Sequence, residues 1–226
     1  MMDGHAIACL IAAFIWDIMN KLFIIGLPRT GTTSISVALL EYFKVSHTGY
    51  TKRTFELADV ISDCPCFSDY QELDALFPES KFVYLQRSLQ QWLPSIQMLL
   101  NKMLPSLNSE SYVNPILRRS FSQTFDLNNV DSPLEDTHLT TCYQRHEQGV
   151  IDFFYGRNNI LNININQAGS LSQLLTFLNV KHSGEEQFPH LNMGKLVDNW
   201  KDIKHIHKIN PNTAGKEGRK FFDYCR

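Results

Sequence analysis

The chain has 226 residues, 43% of them hydrophobic and 19% charged, with a formal net charge of −2. That composition suits one globular domain with a full core. No global basic field invites nucleic acid, so a phosphate-bearing ligand would have to be met by a local cluster of cations. The five cysteines, Cys9, Cys64, Cys66, Cys142 and Cys225, are an odd number without framework spacing. They point to reduced thiols and a cytoplasmic protein. Cys64-Pro65-Cys66 has no second Cys or His pair at zinc spacing, so no metal site is expected.

Residues 6–16 are nearly all apolar, but a membrane span needs about 18 or more such residues. No Lys or Arg precedes the run, as a secretory signal would require. Met19 stands directly before the first predicted strand, so residues 1–18 are expected to be an extension, either non-native or loosely docked, on a domain formed by 19–226. The apolar run 22–25 predicts that first strand. Ile35, Ala38, Leu39 and Tyr42, at i, i+3, i+4 and i+7, predict a helix over 34–43. A short strand is expected at 45–48, a short helix at 53–59 and a strand at 60–61 running out at Ser62-Asp63. A helix over 70–77 closes at Pro78, and 81–86 reads as a compact buried strand. Residues 89–103 form a helical pattern with Pro94 inside it, which implies a kink or a start near Trp92.

Residues 104–133, rich in Asn, Ser and Pro, predict short helices and a loop covering the sheet. A long helix is expected over 134–155, a half-covered strand over 159–166 and a helix over 170–178. Residues 181–195 and 205–220 read as loops or tail, with cations at Lys204 just ahead of the second and at Lys208, Lys216, Arg219 and Lys220 within it. Strands alternating with helices predict an α/β fold with a central parallel sheet and ligands at the carboxyl ends of its strands.

The chemistry concentrates at Gly26-Leu-Pro28-Arg29-Thr30-Gly31-Thr32-Thr33-Ser34. Strand, glycine loop and helix in succession build an anion cradle from backbone N–H groups, reinforced by the positive end of the helix dipole. The spacing matches the first part of the Walker A pattern, but Thr32 stands where its Lys should be, and the loop's cation is Arg29. That exchange argues against ATP hydrolysis and against a small-molecule kinase. A second anion-binding element follows the strand 81–86: Arg87 at its carboxyl end, and Ser95 eight residues on. Arg can donate two hydrogen bonds to a phosphate, and the Ser hydroxyl can add another.

With these two elements the chain resembles the sulfotransferases that use 3′-phosphoadenosine 5′-phosphosulfate (PAPS), in particular the bacterial and fungal type. Pro28-Arg29-Thr30-Gly31-Thr32-Thr33 matches the family loop that holds the 5′-phosphosulfate, and Arg87 with Ser95 matches the 3′-phosphate motif. Phe188-Pro-His190-Leu-Asn192 is similar to a late segment of some members. The chain departs from the pattern at Ser88 and Leu89, where Asp and Pro often stand, and has no clear counterpart of the late 3′-phosphate loop.

The resemblance implies a three-layer fold of the P-loop type. It implies PAPS as co-substrate, bound by Pro28, Arg29, Thr30, Gly31, Thr32, Thr33, Ser34, Arg87 and Ser95. The acceptor would be a hydroxyl or amine on a small molecule or glycan, and no metal is required, since a sulfuryl group carries less charge than a phosphoryl group. Arg29 would neutralise charge on the leaving phosphate oxygen. A general base must reach the acceptor and titrate near working pH. His47, at the end of the second strand, is the first candidate, Asp63 the second and Glu56 the third. Trp92 reads as core or pocket wall, His190 as a turn residue, and His205 with His207 as a poor metal site. A P-loop kinase and a non-catalytic nucleotide- or partner-binding member are the competing readings.

Overall fold

The computed structural model describes residues 21–108, 113–185, 187–188 and 200–213. The expectations for residues 1–18, His190 and the basic stretch 215–220 lie outside the described residues.

Five short strands, β1 (Leu22–Ile24), β2 (Val45–His47), β3 (Val60–Ser62), β4 (Lys81–Leu85) and β5 (Ile160–Ile163), form one sheet in the order β2-β3-β1-β4-β5. Every pairing is parallel, with Phe23 opposite both Ile61 and Phe82. The helices are α1 (Thr32–Leu39), α2 (Lys52–Leu57), α3 (Tyr70–Leu76), α4 (Leu89–Leu107), α5 (Pro115–Thr124), α6 (Asp136–Phe153) and α7 (Ser170–Phe177).

Period-two alternation in the strands explains the three layers. Leu22 and Ile24 of β1 join Ile35 and Leu39 of α1 and Leu171 and Leu174 of α7 on one face. Phe23 and Ile25 join Phe55, Leu73, Phe82, Val150 and Phe154 on the other. A third apolar cluster, built on Leu27, Trp92, Ile96, Leu100, Phe121, Phe125, Leu139 and Tyr143, packs α4, α5 and α6 together beside the loop that follows β1.

Several elements differ from their sequence expectation for local reasons. α4 starts at Leu89, not Trp92, and runs through both Pro94 and Pro105. β5 stops at Ile163 because Asn164 turns the chain: its Oδ1 accepts from Asn166 N (3.0 Å), and its carbonyl accepts from Gln167 N and Ser170 Oγ. α5 is a regular helix capped by Asn114, whose Oδ1 accepts from the amides of Ile116 and Leu117, with Pro115 at its first position. Arg119 on α5 grips the buried Asp69 carboxylate with both terminal nitrogens, at 3.0 and 2.6 Å, and so ties this helix to the β3–α3 connection. On the C-terminal side, residues 205–213, expected as loop or tail, are a loop docked on β2: Lys208 bridges Val45 in parallel, Val45 N donates to His207 O, and Ile209 N donates to Val45 O.

α6 is held by His146, whose Nε2 donates to Phe67 O at 2.8 Å while its buried Nδ1 has no hydrogen-bond partner among the described residues. Burial lowers its pKa to about 4, partly offset by the bond to Phe67. Above the ordinary histidine value of about 6.5, folded and unfolded forms are both neutral and the group has no effect. Below it the unfolded chain binds a proton that the folded one refuses, so stability falls until the folded value near 4 is reached. At about 1.4 kcal/mol per unit the loss is on the order of 3 kcal/mol. Urea denaturation between pH 7 and 4 should show a shallower decline in His146→Gln than in wild type. Parallel curves would contradict this account.

Candidate active site

The glycine loop, His47, Asp63 and Arg87 all lie at or just after the carboxyl ends of strands. The loop after β1 is closed by Thr30, whose amide (3.2 Å) and hydroxyl (2.7 Å) both donate to Leu27 O. Only glycine fits at two points. A Cβ on Gly26 would stand 2.5 Å from Leu85 Cβ, and one on Gly31 would stand 2.2 Å from Ile165 Cδ1, with Gly31 at φ 111°. Gly31 is the N-cap of α1, and no side chain caps its first turn. The orphan N–H groups of that turn are therefore offered to an anion. Pro28, Thr30, Thr32 and Ser34 are buried, whereas Arg29, Gly31 and Thr33 are partly exposed.

Two guanidinium groups meet beside this loop. Arg87 Nη1 donates to the carbonyl of Arg29 (2.7 Å), and Arg29 Nε donates to Ser95 Oγ (2.9 Å). The expected 5′ and 3′ elements thus form one cluster rather than two separate subsites. Burial, and then the charge of Arg29, lower the pKa of Arg87. Among the described residues no carboxylate pairs with either arginine. Positive charge left uncompensated in a partly buried crevice fits a bound anion, and two anionic groups better than one.

Two aromatic residues that the sequence did not mark as site residues hold this cluster in place. Trp92 Nε1 donates to Pro28 O (2.9 Å), and Tyr143 Oη donates to Arg87 O (2.8 Å). Their rings pack 5.1 Å apart, so one aromatic pair fixes both anion-binding loops. Trp92 is fully buried, as expected of core, but its indole N–H is committed to the loop.

On the other side of the loop, Thr32 Oγ1 donates to Asp63 Oδ2 (2.9 Å), and Thr33 Oγ1 lies 3.2 Å from His47 Nε2. His47 Nε2 and Asp63 Oδ2 are 3.7 Å apart, and Asp63 Oδ1 accepts from Cys64 N at 2.8 Å. Burial lowers the His47 pKa, Asp63 opposes that shift, and Lys208 adds to it. The imidazole is therefore neutral at pH 7, the form a proton acceptor needs. Arg29, Thr48 and Asp63 all sit in the left-handed region, at φ 74°, 75° and 60°. Such residues cost about 1–3 kcal/mol each and collect at functional sites; here they follow three adjacent strands.

The structure brings together Pro28 to Ser34, His47, Asp63, Arg87 and Ser95 around one crevice. It does not bring Glu56 there. α2 carries Glu56 to the opposite end of the sheet, where Lys21 Nζ approaches its carbonyl (3.4 Å) and Arg53 pairs with its carboxylate (2.9 Å). Nor does Lys208 face the crevice as a free cation, because its Nζ donates to the carbonyls of Trp200 and Ile203. Asp63, by contrast, follows the end of β3, a direct neighbour of β1, and stands beside the loop in contact with Thr32. Among the described residues no group of three or more His, Cys, Asp or Glu could hold a metal ion.

These features define a parallel α/β protein with two arginines and a glycine loop gathered at one end of its sheet. Residues 45–197, well over half of the chain, match the sulfotransferase domain family, and the chain belongs to that family. Sulfuryl transfer is thus its general reaction class. The glycine loop lies just ahead of the matched region, and its contacts with His47, Asp63, Arg87 and Ser95 join the two. A search of curated proteins returns no match. No helix among the described residues is long and apolar enough to cross a membrane.

Proposed function

We propose that this protein transfers the sulfuryl group of PAPS to a hydroxyl or amine acceptor on a small molecule or glycan. The observation that carries the reading is the pair Arg29 and Arg87, joined through the Arg29 carbonyl, with Ser95 bonded to the Arg29 guanidinium and no carboxylate partner for either among the described residues. One guanidinium stands on the loop that would cradle the 5′-phosphosulfate. The other stands where a 3′-phosphate would lie.

The reaction is an in-line displacement. The acceptor oxygen or nitrogen bonds to sulfur as the bond from sulfur to the 5′-phosphate oxygen breaks. Backbone N–H groups of Gly31 to Thr33 grip the anion, the Thr30 amide being committed to Leu27 O, and Arg29 neutralises charge on the departing phosphate oxygen. The hydroxyls of Thr30, Thr32 and Thr33 contact Leu27 O, Asp63 and His47, so the backbone is the main donor set. His47 takes the acceptor's proton, and Asp63 stabilises the imidazolium so formed. Residues 113–133, with α5 pinned to Asp69 through Arg119, cover the acceptor side.

Adenosine 3′,5′-bisphosphate without Mg²⁺ should raise the melting temperature, corresponding to about 2.7 kcal/mol of stabilisation at a hundredfold excess over Kd. Asp63 beside Thr32 is the observation that favours metal-assisted phosphoryl transfer instead. A response to ATP with Mg²⁺ and none to the bisphosphate would select that alternative. A response to the bisphosphate, with no transfer from labelled PAPS across a panel of hydroxyl and amine acceptors, would select a non-catalytic binding protein.

A further inference from the structure

We propose that Trp200, carried on a strap formed by residues 200–213, is a positioning residue for His47 and that this strap completes the catalytic face from beyond the matched domain. The proposal rests on the reading of His47 as the proton acceptor. Three observations carry it.

The first is how the strap is attached. It runs along the free edge of β2, the strand that ends in His47. Besides the bonds of His207 and Ile209 to Val45, Tyr50 N donates to Pro211 O (3.1 Å), Thr54 Oγ1 to Pro211 O (2.9 Å) and Thr51 Oγ1 to Thr213 O (2.6 Å). The strap therefore holds the strand before His47 and the turn after it.

The second is the stack. The Trp200 ring lies 5.6 Å from the His47 ring with 30° between their planes. A flat apolar surface against one face of an imidazole restricts its rotation and keeps water off that face. Nε2 then stays directed at Thr33 and Asp63. Lys208 secures the arrangement. Its Nζ donates to the carbonyls of Trp200 (2.5 Å) and Ile203 (2.7 Å), closing the turn Trp200–Asp202, and stands 5.0 Å from the Trp200 ring centroid.

The third is what the placement costs. Trp200 is 7% exposed, and its buried Nε1 has no hydrogen-bond partner among the described residues. A tryptophan serving only as filler is ordinarily set with its N–H bonded. Here the ring position is kept at the expense of that bond, and the position it keeps is over His47. The charged groups facing His47 are Asp63 from the β3 end and Lys208 from the strap, the latter itself influenced by Asp202. They act in opposite directions, so removing the ring's desolvation shows as an upward move of the His47 titration.

The test uses the full chain with ¹⁵N-labelled histidine, the His47 resonances being assigned by their loss in His47→Gln. In wild type, His47 should hold one neutral tautomer and titrate below an exposed histidine. In Trp200→Ala the titration should move up by about one pH unit or more, with mixed tautomers, as expected when burial of an ionisable group is relieved. Trp200→Phe should stay near wild type. Trp200→Leu, which keeps apolar volume without a flat ring, should show the mixed tautomers with a smaller upward move, and serves if Ala does not fold. Affinity for adenosine 3′,5′-bisphosphate, measured by calorimetry, should stay within about twofold throughout, because Trp200 does not touch the anion loop; the expectation follows from distant sites being independent. A His47 titration and tautomer in folded Trp200→Ala or Trp200→Leu equal to wild type overturns the proposal. Failure of wild type to bind the bisphosphate would instead overturn the PAPS reading and leave the Trp200 result to stand by itself.

Discussion

Arg29→Ala is expected to lower sulfuryl transfer from PAPS by about 10³-fold in kcat, the range found when a charge-stabilising arginine is removed from group-transfer enzymes. The structure makes this substitution unusually clean. The contact from Arg87 Nη1 goes to the backbone carbonyl of Arg29, so it survives in the Ala variant. Position 29 is left-handed, at φ 74°, and an Ala there carries the same kind of backbone strain as the Arg it replaces. What disappears is the guanidinium and its bond to Ser95. Bisphosphate affinity should fall much less than kcat, because the loop N–H groups and Arg87 remain. Arg29→Lys should recover part of the loss, since it restores a charge without the planar fork. Single-turnover rates with labelled PAPS, set beside calorimetric affinities, separate the two effects. Equal losses in kcat and affinity would mean that Arg29 binds the ground state and does not act selectively in the transition state.

How much of this could be read from residues alone depended on whether the signal was local. The glycine loop is written in consecutive positions, Gly26 to Thr33, and its conformation follows from bonds within four residues, such as those from Thr30 to Leu27. The pair Arg87 and Ser95 is likewise carried on one strand end and the first turns of one helix. The start of α5 was legible too: Asn114 before Pro115 is an N-cap followed by a first-turn proline, and α5 is one of the short helices that the Asn-, Ser- and Pro-rich segment predicts.

The rest was not local. Trp92 and Tyr143 stand 51 residues apart, and nothing in their own neighbourhoods shows that each donates to a carbonyl of an anion-binding loop. Lys208 reads from the sequence only as a cation in a loop or tail. Its partners come from a turn that forms only because the strap finds the open edge of β2. Glu56 failed as a base candidate for a topological reason. In a parallel sheet the helix after a strand must return the chain to the starting edge, so a residue late in α2 is carried away from the crevice. His47 and Asp63 end strands and stay there.

His47→Gln is expected to lower kcat by about 10²- to 10⁴-fold, the span for loss of a general base. The pH dependence gives the sharper test. A base works in its neutral form, so activity should fall as pH drops through the His47 pKa. Burial sets that value below the ordinary one. Wild type should therefore keep most of its activity at pH 6.5, where an exposed histidine would be about half protonated. His47→Gln should lose this limb and show a flat profile over the same range, with bisphosphate affinity little changed. Asp63→Asn should act differently. It keeps an oxygen to accept from Thr32 but removes the charge that favours the imidazolium, so the limb persists and moves further toward acid. If instead His47→Gln retains near-full activity and Asp63→Asn abolishes the limb, the proton goes to Asp63. His47 would then be the group that fixes Thr33 at the head of α1.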